Sequence, residues 1–298
     1  MIRLVAALTL VAVVSLSTIA AVVRFPDAGL EAAIREAIGR PVGDIYEDPL
    51  TRLVSLDASD RGITRLDGIQ HCSNLVTLNL SDNDIADIGA LSNLTHLTQL
   101  ELSRNQIVDL GPISNLIQLT VLRLRGNQIA DIAPLVGLID TAQPEPPVLE
   151  DLELSENEIA EIGALAGFTS MTKLTLDGNQ VTDIAALSSL TQLVFLNLLG
   201  NQITDIGALS NLTRLKILLL SDNQIADIRA LSGLPDLIGL WLNGNRITDI
   251  QPLVDNPGIG YMDRVYICDN LLDLSFGSLD MQNAEALSRR GVYVYDRS

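Results

Sequence analysis

The chain has 298 residues and a formal net charge of −18, from 37 acidic and 19 basic side chains. This charge excludes long-range attraction to phosphate backbones and to anionic lipid, so nucleic acid is not expected as a partner. Hydrophobic residues make up 47% of the chain, which is too much for an acidic disordered protein. We therefore expect the chain to fold.

The first 23 residues are predicted to lie outside the fold, as a signal peptide or an N-terminal anchor. Arg3 gives the start a positive charge, an uncharged apolar run covers 4–23, and Ala20 has the small side chain that a signal peptidase requires. Cleavage is expected after Ala20 or nearby, whereas an uncleaved run of this length would span a bilayer. In both cases we expect the rest of the chain to be secreted or at the cell surface, with contact to a membrane only through this segment.

Residues 24–52 are predicted to form a helical N-terminal cap. Asp27 is a suitable N-cap, Glu31 and Arg35 can pair at i,i+4, and Gly39 and Pro41 end the helix. The apolar residues of the helix share one face, which can cover the end of a hydrophobic core. They are Leu30, Ala33, Ile34, Ala37 and Ile38.

Residues 53–256 repeat one pattern of apolar positions, with a step of 22 residues. In the unit that begins at Leu193, Leu196 and Leu198 alternate as in a short strand, and the apolar residues from Ile203 to Leu212 recur at every third position, as in a 3₁₀ coil. One unit cannot bury its apolar face, but stacked units form a continuous core. The sequence therefore predicts an α/β repeat solenoid, curved, with parallel strands on the concave face and 3₁₀ or irregular return segments.

One asparagine recurs in each unit where the chain turns inward after the strand. Because a buried amide can donate and accept hydrogen bonds at once, these residues are expected to form a ladder along the solenoid. They are Asn83, Asn105, Asn127, Asn157, Asn179, Asn201, Asn223, Asn245 and Asn270, with Arg61 at the same place in the first unit.

One acidic residue also recurs in each unit. A column of carboxylates can attract Ca²⁺, but these side chains are expected to bond nearby backbone N–H groups at the start of the return segment, and no metal is predicted. The column comprises Asp87, Asp109, Asp131, Glu161, Asp183, Asp205, Asp227 and Asp249.

The pattern L-x-x-L-x-L-x-x-N-x-I-x-D-I-x-x-L-x-x-L resembles the leucine-rich repeat family in its 22-residue bacterial form, typified by the internalins. The resemblance runs from Leu53 to about Asn270. The segment FPDAGLEAAIREAIG, at 25–39, is similar to the N-terminal cap of secreted bacterial repeats of this kind. The resemblance implies a binding scaffold, and likeness to internalins suggests attachment to host receptors, but neither names a ligand.

Two segments depart from the repeat. The step from Leu119 to Leu149 is 30 residues, and the extra residues 141–148, TAQPEPPV, are predicted to bulge beside the concave face as a binding loop or a tolerated insertion. Residues 257–298 are predicted to hold the last strand, at 265–267, and an α/β C-terminal cap. This cap has a helix over 279–290 and a short strand over 292–295.

The side chains between the buried leucines of each strand are expected to face the concave side, one row per coil. The rows are polar in the first coils and apolar in the later ones, and the chain's single tryptophan lies in the apolar half. This apolar patch either binds a partner or only stabilises the strand ladder, with the C-terminal cap covering Trp241. Its residues are Phe195, Leu199, Ile217, Leu219, Trp241 and Tyr266.

Two further candidate binding residues, Arg123 and Arg125, lie in the polar half between Glu101 and Glu153. The favoured interpretation of these four side chains is a mutual ion-pair network, which contributes little to stability when it is exposed.

No catalytic residues and no cofactor are predicted. His71 and His96 are the only imidazoles, and both fall in return segments without a nucleophile beside them. Cys72 and Cys268 lie on the order of 40 Å apart at the spacing of stacked strands, too far for a disulfide.

The sequence thus favours a non-enzymatic, monomeric module that binds a partner protein through the apolar patch. One alternative is binding of carbohydrate or cell-wall glycan, with Trp241 and Tyr266 stacked on sugar rings. The other is a purely structural surface spacer.

Overall fold

The computed structural model describes residues 21–139 and 148–296. Eleven strands form one parallel sheet in which each strand pairs with the next one in sequence. A chain that adds strands in this order completes one coil before it begins the next. The predicted repeat solenoid is therefore confirmed.

The first described elements are β1 (Val22–Val23), α1 (Ala28–Ala37), β2 (Ile45–Tyr46) and α2 (Glu47–Leu50). β1 pairs antiparallel with β2, so Val22 and Val23, the last two residues of the predicted leader, contact the N-terminal cap. The rest of the predicted leader, 1–20, lies outside the described residues. Within residues 21–139 and 148–296, no helix has the length and apolar character needed to cross a membrane.

Asp27 caps α1, as predicted, and also ties this helix to the first coil. Its Oδ1 accepts the N–H groups of Gly29 and Leu30 at 3.0 Å each, and its Oδ2 accepts the N–H of Thr64 at 2.9 Å. Burial raises the pKa of Asp27, but these hydrogen bonds to the carboxylate outweigh that effect, so its pKa lies below the ordinary value.

The predicted apolar face of α1 is correct except at its last turn. Leu30, Ala33 and Ile34 are buried. Ala37 is exposed, because the helix ends at this residue and the chain turns away at Gly39, where φ is 63°.

Each repeat strand has three residues, and its middle residue points into the core. Leu196, for example, lies in register with Leu174 and Leu218, and all three side chains are buried. Stacking of equal side chains in register gives the continuous leucine core that one unit could not form. The strands are β3 (Ser55–Asp57), β4 (Thr77–Asn79), β5 (Gln99–Glu101), β6 (Val121–Arg123), β7 (Asp151–Glu153), β8 (Lys173–Thr175), β9 (Phe195–Asn197), β10 (Ile217–Leu219) and β11 (Gly239–Trp241).

The return segments are short 3₁₀ helices, as the period of three predicted. They are Ile69–His71, Gly89–Leu91, Gly111–Ile113, Ala133–Leu138, Gly163–Gly167, Ala185–Ser189, Gly207–Asn211 and Arg229–Gly233, followed in the next coil by α3 (Gln251–Asp255). Strands β6 and β7 pair directly, so the long step between them leaves the stack of coils unbroken. The predicted loop itself lies outside the described residues, except for Val148.

The asparagines join neighbouring coils, but they bond the backbone and not one another. In a typical coil, the Nδ2 of Asn201 donates to the carbonyl oxygens of Leu176 and Leu198 at 3.0 Å each. Its Oδ1 accepts the N–H of Val181, in the preceding coil, at 3.0 Å. Each amide therefore satisfies backbone groups of its own coil and of the coil before it, which is a different ladder from a simple chain of amides.

The C-terminal part comprises β12 (Arg264–Tyr266), α4 (Leu279–Arg289) and β13 (Tyr293–Tyr295). The ends of the helix and of both strands lie within one residue of the predicted ones. The strand at 265–267 is, however, not the last of the sheet. β13 pairs parallel with β12 and extends the ladder by one strand, because α4 returns the chain to the same side as a repeat would.

Candidate functional site

The concave face consists of the first and third residues of the strands, which point away from the leucine core. The strand register aligns Asn197, Leu219, Trp241 and Tyr266 in one column, as predicted from the repeat spacing. Side chains that are far apart in sequence thus become neighbours on β9 to β12.

The structure brings the six residues of the apolar patch together on four successive strands and the turns that follow them. All six side chains are only partly buried, in contrast to the fully buried leucines on the other side of the same strands. The C-terminal cap therefore does not bury Trp241, and the patch remains in contact with solvent.

The aromatic residues of the patch form a stack that the sequence revealed only in part. The rings of Trp241 and Tyr266 lie 5.0 Å apart at an angle of 10°, and those of Tyr266 and Tyr295 lie 4.3 Å apart at 5°. Tyr295 belongs to β13, and the alternation in residues 292–295 predicted that strand but not its place beside β12. Desolvation raises the pKa of Tyr266, and the neighbouring Tyr295 hydroxyl raises it further.

Gly239 leaves the space that the indole ring occupies. A Cβ atom on Gly239 would lie 2.7 Å from Cζ3 of Trp241 and 3.0 Å from Cδ1 of Ile217. The ring of Trp241 thus lies over the bare backbone of its own strand, beside Ile217, and any larger residue at 239 would displace it. The sequence offered one signal for this role, which is a glycine inside a strand.

The polar half of the concave face holds an ion-pair network around Arg123. This guanidinium lies 3.2 Å from Glu101, 2.8 Å from Asp151 and 3.7 Å from Glu153, and Lys173 lies 3.2 Å from Asp151. The network was predicted, but Asp151 and Lys173 were not recognised as members. They occupy the flanking column of β7 and β8, one step from the central column.

The predicted role of Arg125 in this network is wrong. Its guanidinium lies 2.7 Å from the carboxylate of Glu156, because its side chain stands at the end of the strand, nearer to the following turn. That carboxylate raises the pKa of Arg125. Both candidate arginines are thus already paired within the chain.

The charges of the network affect one another's protonation. Burial raises the pKa of Glu101, and repulsion by Glu153 and Asp151 adds to this, against the opposing effect of Arg123. Burial lowers the pKa of Arg123, but the carboxylates around it outweigh that effect. Arg123 is therefore the cation that contacts all three carboxylates, and Lys173 contacts one of them.

Seven of the eight recurring acidic residues, all of which the structure describes, bond backbone N–H groups, as predicted, and the exception is Glu161. Asp205, for example, accepts the N–H of Gly207 at 2.7 Å, and Asp249 accepts that of Gln251 at 2.7 Å. The same bond occurs at Asp87, Asp109, Asp131, Asp183 and Asp227. These carboxylates begin the return segments.

The cysteines lie apart and unpaired. Cys72 is fully buried, and the loss of solvent raises the pKa of its thiol to about 12. Cys268 stands at the edge of the aromatic stack, where its Sγ lies 3.4 Å from the carbonyl oxygen of Tyr295. Desolvation raises its pKa as well, so neither thiol is an activated nucleophile.

A family described as Leucine Rich repeats (2 copies) matches residues 73–117, 95–137, 169–211 and 213–255. These matches together cover about half of the chain. No functionally curated protein matches it in sequence.

Solved structures give the same assignment. Internalin F of Listeria monocytogenes is 29% identical, with 95% of this chain and 94% of that chain covered and a TM-score of 0.59. Internalin C2 of the same species is 31% identical over 84% of this chain and 94% of that chain, with a TM-score of 0.61. The ectodomain of the plant receptor kinase GASSHO1/SCHENGEN3 from Arabidopsis thaliana, solved in complex with Casparian strip integrity factor 2, is 25% identical. The match covers 69% of this chain and 25% of that chain, with a TM-score of 0.58. This chain belongs to the leucine-rich repeat family, and its repeats are internalin-like.

Proposed function

We propose that this protein is an exported, non-enzymatic binding module that recognises a partner protein as a monomer, through the apolar patch on its concave face. The architecture is that of a protein-interaction module. One observation supports the location: six apolar side chains on β9 to β12 stay partly exposed on a surface that the core does not require. Exposed apolar surfaces with Trp and Tyr at their centre are typical of protein interfaces.

The ring geometry favours a protein over a glycan. A sugar stacks on an aromatic ring only if one face of that ring is free. Tyr266 stacks with Trp241 on β11 and with Tyr295 on β13, so both faces of its ring are covered. The central ring of the stack therefore has no face free for a sugar, and its edge suits the leucine, isoleucine and aromatic side chains of a partner protein.

Tryptophan fluorescence tests this function, since Trp241 is the only indole of the chain. Extracellular protein fractions should shift its emission in a saturable way, and cell-wall glycans should not. Binding of the active fraction to the immobilised protein should be lost with Trp241→Ala and weakened with Leu219→Ala. Val108→Ala is the matched control, because Val108 is an exposed apolar residue of a return segment.

A structural spacer predicts a different result. In that case Trp241→Ala would alter stability alone, and no fraction would shift the emission of the unmodified protein. If glycans shift the emission in a saturable way and proteins do not, the ligand is a carbohydrate and not a partner protein.

A further inference from the structure

Among the described residues, the apolar half of the concave face carries a single charged side chain. The first and third positions of β9 to β13, with the residues that follow the strands as far as Cys268, are otherwise apolar, aromatic or neutral polar. The exception is Arg264, the first residue of β12, in a chain whose net charge is −18. A lone cation is thus set among the residues of the proposed binding surface.

Arg264 differs from Arg123 and Arg125 in having no acidic partner in the part of the chain that the structure describes. Arg123 and Arg125 both pair with carboxylates of neighbouring coils. Among residues 21–139 and 148–296, no carboxylate lies within ion-pair distance of the exposed Arg264 side chain. The adjacent Asp263 is engaged elsewhere, since it accepts the N–H of Gly260 at 2.7 Å.

The position of Arg264 joins it to the apolar patch. In the strand register it lies beside Gly239, the residue over which the ring of Trp241 folds. It is also two residues from Tyr266 on the same face, and it lowers the pKa of that hydroxyl against the larger opposing effect of desolvation. A group that contacts the edges of both rings therefore comes within reach of the guanidinium.

We infer that the partner protein places a carboxylate on Arg264, next to apolar side chains that cover the aromatic stack. The guanidinium offers a planar pair of donors that matches a carboxylate, and exclusion of water by the apolar patch strengthens the ion pair. The overall charge of −18 repels a strongly acidic protein at a distance. The expected partner segment is therefore apolar, with one Asp or Glu beside its Leu, Ile or Phe residues.

This inference rests on the proposed function, and phage-displayed random peptides test both separately. The peptides are selected on the immobilised protein and on Arg264→Gln, Arg264→Glu and Trp241→Ala. Arg246→Gln is the matched control, because Arg246 is an exposed arginine of a turn away from the concave face and its loss changes the net charge equally.

We expect the unmodified protein and Arg246→Gln to select peptides with Asp or Glu beside apolar residues. Arg264→Gln should keep the apolar preference, lose the acidic one and bind the selected peptides roughly ten- to a hundredfold more weakly. Arg264→Glu should select Lys or Arg at the same place. Trp241→Ala should select none of these peptides.

Two results overturn the inference in distinguishable ways. If Trp241→Ala abolishes selection but Arg264→Gln selects the same acidic peptides as the unmodified protein, the proposed surface stands and the role of Arg264 is wrong. The same conclusion follows if the unmodified protein selects apolar peptides without a preference for Asp or Glu. If the unmodified protein selects nothing, or Trp241→Ala selects the same peptides, both the surface and the role of Arg264 are wrong.

Discussion

Replacement of Asn201 by alanine should destabilise the solenoid by about 2–5 kcal/mol. The buried amide makes three bonds of 3.0 Å, to the carbonyl oxygens of Leu176 and Leu198 and from the N–H of Val181. The two carbonyl groups each keep another donor, because the asparagine of an adjacent coil also bonds them. The N–H of Val181 loses its partner.

The magnitude follows from these separate losses. A buried N–H without a partner costs about 1–3 kcal/mol, and each lost bond to a carbonyl that keeps a second donor costs about 0.5–1 kcal/mol, the lower part of the usual range. The main cost of Asn201→Ala thus comes from one backbone group in the preceding coil.

Urea unfolding followed by far-ultraviolet circular dichroism measures the change in free energy. Gln202→Ala is the matched control, since Gln202 is the next residue and is exposed, and its loss should stay within about 0.5 kcal/mol. The two midpoints can be compared only if the dependence of the unfolding free energy on urea concentration is unchanged. A changed slope would indicate that some coils unfold separately from the rest. If Asn201→Ala unfolds at the same midpoint as Gln202→Ala, the amides do not hold the coils together as argued.

Asn201→Asp separates the donor role from side-chain volume. It keeps the shape and the acceptor, removes both N–H donors and places a carboxylate against the oxygens of Leu176 and Leu198. The pKa of the new carboxyl should therefore be raised, and the variant should gain stability as the pH falls from 7 towards 4 and a proton returns one donor. A loss of stability over this range, beyond that of the unmodified protein, would contradict the argument.

Three further outcomes are expected. Gly239→Ala should displace the ring of Trp241 and alter its emission, whereas Gly163→Ala, where a Cβ meets no atom within 4 Å, should not. Asp27→Asn should cost about 1–2 kcal/mol at pH 7. Because the pKa of Asp27 is lowered, this stabilisation is present above the ordinary pKa of 3.8 and disappears as the pH falls through the folded pKa, so stabilities should converge at low pH. Arg123→Met should cost about 1–3 kcal/mol at pH 7 and less near pH 4, because the pKa of Glu101 is raised and its protonation removes one of the negative charges that Arg123 contacts. Urea unfolding at both pH values checks the last two.

The repeat units could be predicted from sequence because one physical requirement recurs in every coil. A leucine in a three-residue strand is buried only against the equivalent leucines of its neighbours, so Leu174, Leu196 and Leu218 determine both periodicity and register. From that register the columns of the concave face follow directly, and the apolar patch with them.

The contacts at the ends of the solenoid could not be predicted in this way, because they occur once. The hydrogen bond that Asp27 accepts from the N–H of Thr64, and the pairing of β13 with β12, have no equivalent in the other described coils to reveal them. The direction in which a long side chain points could not be predicted either. The strand pattern showed that Arg125 faces the concave side, but its pairing with Glu156 depends on the turn that follows the strand.

The asparagine bonds have a consequence for how such a molecule can change length. The Oδ1 of Asn201 reaches back only one coil, to the N–H of Val181, and the next amide repeats the same step from Asn223 to Ile203. These hydrogen bonds therefore fix the position of each coil relative to its neighbour, and they do not depend on the total number of coils. Duplication or loss of a whole unit leaves every remaining bond intact, so the size of the recognition surface can change in steps of one layer while the interior stays the same.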